Sequence, residues 1–93
     1  MIETVMPGET VILSEEGGLA EVKIISRSQS VPEMKLGPGS LEISFRIRFM
    51  RILRQYPFVP YNPGDEIEIS KLIWDNYPEG YPGGWEFLRK ATA

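Results

Sequence analysis

The sequence predicts an all-β fold, or β with one short helix: a small, strongly bent antiparallel sheet or barrel of about five strands. Three observations carry this expectation. Nine glycines and eight prolines fall in clusters that separate short apolar runs, which is punctuation between strands rather than between long helices. Residues 41–49, LEISFRIRF, alternate apolar and polar over nine positions without a break, the period-2 pattern of a half-buried strand. The 93 residues, 42 % hydrophobic and 25 % charged, make an ordinary globular composition and a chain long enough for one domain over 1–93 but not for two.

Each element follows in order. Residues 10–14, TVILS, open after Pro7-Gly8, with Val11 and Leu13 on one side and Ile12 on the other. Glu15-Glu16-Gly17-Gly18 reads as a hairpin turn, because paired glycines supply positive φ readily. Residues 20–26 alternate Ala20, Val22 and Ile24 with Glu21 and Lys23, so the first two runs should form an antiparallel hairpin. Residues 27–40 read as a long surface loop with Val31, Met34 and Leu36 as apolar anchors. One helical turn at 32–36 fits within it, with Pro32 at its first position and Ser30 as cap.

In residues 41–49, Leu41, Ile43, Phe45, Ile47 and Phe49 share one face, and Glu42, Ser44, Arg46 and Arg48 the other. Met50, Ile52 and Leu53 break the phase, which predicts either a β-bulge near Met50 or a bend at a barrel corner. A helix through Leu41, Phe45, Phe49, Ile52 and Tyr56 matches the spacing, but the strict alternation and Gly39 argue against it. Residues 56–64, with Pro57, Pro60 and Pro63, cannot be a central strand and should be extended or turn structure. Residues 65–74 return to alternation with Ile67, Ile69 and Leu72 inward. Residues 75–84 form a tyrosine-bearing loop, 85–90 a last strand or single helical turn, and 91–93 a frayed end. The expected core is Val11, Leu13, Val22, Ile24, Ile43, Phe45, Ile47, Phe49, Ile67, Ile69, Leu72 and Trp85.

Composition also excludes chemistry. The chain has no cysteine and no histidine, which removes disulfides, the usual zinc sites, Cys or Ser–His nucleophiles and imidazole acid–base catalysis. No run nears the ~18 consecutive apolar residues of a membrane span, and MIETVMPGET lacks the pattern of a signal peptide. The expectation is a cytoplasmic protein; the lack of cysteine also suits a virion. Acidic groups at Glu15-Glu16, at Asp65, Glu66 and Glu68, and from Asp75 to Glu79 have no EF-hand spacing; they read as solvated turns and strand faces. Lys71 could act as a nucleophile only if buried. Neither Gly37-Pro38-Gly39 nor Gly80 to Gly84 is a phosphate loop. No enzyme activity, metal or cofactor is expected.

The net charge of −3 is unevenly spread. Residues 1–40 carry three basic and six acidic groups, residues 41–62 carry Arg46, Arg48, Arg51 and Arg54 against Glu42 alone, and residues 63–93 again carry three and six. The simplest expectation is that the arginines pair with the acidic flanks across the sheet. The alternative is an anion or nucleic-acid surface, which the acidic whole disfavours at long range.

Eight of the ten aromatics lie between Tyr56 and Phe87, interleaved with five prolines. They read either as an aromatic-lined binding surface or as side chains that pack the loops onto a small core. Pro63-Gly64-Asp65-Glu66-Ile67-Glu68-Ile69, a loop, then Gly83-Gly84-Trp85 is similar to the turn–strand–loop–Gly-Trp order of Src-homology-3-like small barrels; Pro7 to Leu13 has the same form. The resemblance covers about a third of the chain. It implies a small barrel of Src-homology-3-like or OB-like size and carries no residue-level function.

The functional expectation is a non-enzymatic protein-binding or assembly module. It would use the aromatic–proline surface of residues 56–87, with Tyr56, Phe58, Tyr61, Tyr77 and Tyr81 against another protein or a second copy, as in an accessory phage or mobile-element protein. The alternative is a nucleic-acid-binding small barrel that sets Arg46, Arg48, Arg51 and Arg54 on phosphates and Tyr56 or Phe58 on bases. No membrane partner is expected.

Overall fold

The computed structural model describes residues 5–32, 39–74, 77 and 84–88. These residues form five strands and, among them, no helix: β1 (Thr10–Glu15), β2 (Gly18–Ser30), β3 (Leu41–Arg54), β4 (Glu66–Ile73) and β5 (Trp85–Leu88). They make one antiparallel sheet in the order β4-β3-β2-β1-β5. The fold is all-β, as the alternation and the glycine–proline punctuation require.

A two-residue turn joins β1 to β2. Glu16 and Gly17 both take positive φ, 46° and 91°, the backbone that matches the twist of flanking strands. Strand β2 runs to Ser30, four residues into the stretch expected to be loop. Those residues are strand because β3 lies opposite them, with Arg27 paired to Phe45 and Ser30 to Glu42. The helical turn expected at 32–36 falls mostly outside the described residues, as do Met34, Leu36 and 91–93.

The β2–β3 ladder shifts register three times. Val22 pairs with Phe49 and Glu21 with Arg51, so Met50 is an extra residue, the bulge that the phase break predicts. Ala20 pairs with Ile52 and Leu19 with Arg54, which makes Leu53 a second. Ile25 is the third, between Ile24 opposite Ile47 and Ser26 opposite Arg46. The Met50 bulge lets Ile52 follow Phe49 onto the inner face while Arg51 stays outside. Bulges also increase local twist.

The sheet is strongly curled. Neighbouring strands lie ~4.8 Å apart, so β4 and β5, four steps apart, would be ~19 Å apart if the sheet were flat. Instead the Trp85 indole N–H donates to the Ser70 carbonyl at 3.1 Å. The Lys71 ammonium donates to the Trp85 carbonyl and sits 4.6 Å from the Trp85 ring centroid. These side-chain bonds to backbone carbonyls bridge the seam, and among the described residues no ladder joins β4 to β5. Of the two forms expected, the structure is therefore the strongly bent open sheet, not closed into the barrel that the Src-homology-3-like resemblance implied. Among the described residues β5 pairs with β1 and no other strand, and the Trp85 and Lys71 side chains cross the gap where a further ladder would run.

Inside the curl, Val5, Val11, Leu13, Ala20, Val22, Ile24, Ile43, Phe45, Ile47, Phe49 and Tyr56 are buried. Phe45 joins the two ends of the sheet, with its ring edge-on to Trp85 at 6.2 Å and to Phe87 at 5.1 Å. Ile67, Ile69 and Trp85 are half-buried against this core. Leu72 is not part of it, and Ile73 is. Pairings of Ile69 with Phe45, Lys71 with Ile43 and Ile73 with Leu41 keep one unbroken alternation, so Leu72 falls on the outer face opposite Glu42. Lys71 thereby takes an inner position. Burial lowers its ammonium below the usual lysine value, with the Glu86 carboxylate opposing that shift.

Candidate functional site

The site grows from the end of β3. Past the Leu53 bulge β3 ends at Arg54 and the chain bends at 57–59; the Gln55 side chain braces the next six residues. Its Oε1 accepts from the Tyr56 N–H at 2.9 Å and the Tyr61 N–H at 3.2 Å, and its Nε2 donates to the Tyr61 carbonyl at 3.0 Å. The prolines do keep this segment out of the sheet, yet both tyrosines turn back. Tyr56, expected at a contact surface, is only 5 % exposed and belongs to the core. Its hydroxyl donates to the Leu13 carbonyl at 2.8 Å, and its ring packs edge-on against Phe49 and Tyr61. Tyr61 is half-buried and stacks on Phe49 at 4.4 Å. Between these anchors, Phe58 is 78 % exposed and Val59 47 %.

Opposite this loop stands the β1–β2 turn. Glu15, Glu16, Tyr56, Pro57, Phe58, Val59 and Tyr61 line a half-open cleft of about 240 Å³, its mouth included. Burial and then the neighbouring Glu16 raise the Glu15 carboxyl above its ordinary value. Burial, then Glu15, raise the Tyr61 phenol. Burial, with smaller contributions from Glu15 and Tyr61, pushes Tyr56 up to about 12.

Tyr56 thus keeps its proton where an unfolded chain gives its own up near pH 10. Its contribution to stability is full below that pH and is lost as pH rises from 10 through about 12. In an alkaline absorbance titration one phenol should ionise later than the rest, and Tyr56→Phe should remove that last step. If the last step survives in the variant, the assignment is wrong.

The arginines are where cross-sheet pairing puts them. Arg46 donates to Glu66 at 3.1 Å, and Arg48 to the same carboxylate at 2.9 and 2.8 Å. Hydrogen bonds from Arg48 and then Arg46 hold the Glu66 carboxyl below its usual range. Arg51 donates to Glu21 at 2.5 Å, and Arg54 to the Gly17 carbonyl. Three of the four thus pair with carboxylates from the acidic flanks, Arg46 and Arg48 sharing Glu66 and Arg51 taking Glu21, rather than forming a free cationic stripe.

Tyr77 is half-buried, its ring 4.8 Å from Trp74 and its N–H donating to the Trp74 carbonyl at 2.7 Å. Tyr81 lies outside the described residues. Among the described residues no group of three or more metal-ligating side chains stands together, and no helix is long and apolar enough to cross a membrane.

Of the expected contact residues, the structure therefore brings Tyr56, Phe58 and Tyr61 together. Glu15, Glu16 and Gln55 were missed as their companions. The Leu19–Arg54 pairing that sets the turn beside the loop depends on two bulges, and no sequence period reports it. No protein-family model matches the chain, and searches of curated proteins and of solved structures returned no match.

Proposed function

We propose that this chain is a non-enzymatic protein-binding or assembly module whose contact point is the 55–61 loop. The observation that carries this reading is Phe58, 78 % exposed at the tip of a segment braced by Gln55, Tyr56 and Tyr61. An exposed large aromatic on a rigid mount has little ordering entropy left to lose on association. Such aromatics supply most of an interface's energy, ~2 kcal/mol or more each on truncation. Val59 extends the apolar tip, and Tyr56 supports it from below. Self-association and an accessory part in phage or mobile-element assembly, in cytoplasm or virion, fit the same surface.

The test combines molar mass by light scattering over a concentration series with panning of a displayed random-peptide library. Wild type should self-associate or enrich a peptide family. Phe58→Ser should weaken either interaction at least tenfold and leave the melting temperature nearly unchanged. A strict monomer that enriches no peptide, or a Phe58→Ser variant that binds as wild type does, overturns the proposal.

A further inference from the structure

We infer that the cleft between the 55–61 loop and the β1–β2 turn receives a lysine or arginine side chain of a partner polypeptide, while an apolar side chain of the same segment packs on Phe58 and Val59. This rests on the binding reading above and names the partner's chemistry.

The cleft has two unlike walls. One is aromatic and apolar, made of Tyr56, Pro57, Phe58, Val59 and Tyr61; the other is the pair Glu15 and Glu16. Elsewhere on the sheet, Glu21 and Glu66 are paired with arginines. Among the described residues neither Glu15 nor Glu16 has a basic partner, and Arg54, beside the turn, is directed at the Gly17 carbonyl. Two adjacent carboxylates on a turn would alone be a solvated corner. Here an exposed phenylalanine and a tyrosine face stand across from them, and Glu15 is half-buried. A long basic side chain satisfies both walls. Its aliphatic stem covers apolar surface while its charge reaches the carboxylates, and an aromatic face adds cation–π attraction.

Size and charge exclude the other occupants. The enclosed part of the cleft is only about 30 Å³, room for the end of one side chain and far below the ~300–1,000 Å³ of a small-molecule site. Two carboxylates and apolar walls cannot supply the six to eight oxygens of a calcium site. A chain of net charge −3 attracts a basic segment and repels a phosphate-bearing one.

The experiment uses positional-scanning peptide arrays on the whole protein, followed by fluorescence anisotropy with the best peptides. Arrays should favour Lys or Arg next to an apolar residue, and replacing the basic residue with norleucine should weaken binding at least tenfold. In Glu15→Gln/Glu16→Gln that penalty should fall below threefold, and Glu16→Gln, at an exposed turn position, should lower it alone should the double variant misfold. Phe58→Ser should abolish binding of either peptide. Arrays that favour apolar peptides with no basic preference, bound in a Phe58-dependent way, overturn this inference and leave the binding reading standing. An undiminished norleucine penalty in the glutamine variants also overturns it. No peptide bound by a strictly monomeric protein overturns both.

Discussion

Phe45→Ala should lower the unfolding free energy by about 3–5 kcal/mol, the cost of emptying a fully enclosed aromatic site. Phe45 has no exposed surface, and its ring touches Trp85 and Phe87 from the far end of the sheet. Its loss removes contacts that hold β3 to β5 across the curl, in addition to transfer energy. Arg46→Ala, one position along the same strand, removes a half-exposed ion pair and should cost less than ~1 kcal/mol. Urea melts of both variants decide this, and similar costs would mean that the two faces of β3 are not distinct.

Gly18→Ala should also be damaging, for the opposite reason. A Cβ at Gly18 would lie 2.5 Å from Cγ and 2.7 Å from Cε1 of Tyr56, where no real Cβ can sit. The ring cannot step aside, because its hydroxyl is bound to the Leu13 carbonyl and Phe49 and Tyr61 flank it. Forcing atoms into such a contact costs about 1–3 kcal/mol and at times more. Displacing Tyr56 also tilts the loop that carries Phe58, so the variant should lose stability and peptide capture together. Gly17→Ala is the control: its φ of 91° carries backbone strain, but nothing lies within 4 Å of the added carbon. It should cost about 1–2 kcal/mol and leave capture intact. Equal losses of capture in the two variants would remove Tyr56 as the support of the loop.

Strand identity was legible wherever one face is buried and the other wet. Alternation over 41–49 named all five inner positions, and the change of phase after Phe49 located the Met50 bulge. Leu72 was misplaced because Lys71 interrupts an inner row that in fact continues to Ile73; a lysine on an inner face makes sense only once Trp85 is seen above it. Tyr56 was misread because proline does exclude a segment from a ladder, yet it does not stop the adjacent side chain from turning inward. The candidate site was half legible: Phe58 and its neighbours stand out by composition. The carboxylates opposite them are brought near by register shifts, a long-range property that no local pattern encodes.

The strand order also sets a sequence of events for the folding chain. The pairs β1–β2, β2–β3 and β3–β4 join strands that follow one another, so each ladder closes a short loop. The β1–β5 ladder pairs Glu15 with Trp85 and Ile12 with Leu88, separations of 70 and 76 residues. Closing so long a loop is entropically unfavourable until the intervening meander has shortened it. Among the described residues four pairs reward the closure. The arrival of β5 therefore belongs late in folding, and the aromatic cluster of Phe45, Trp85 and Phe87 is completed at that step.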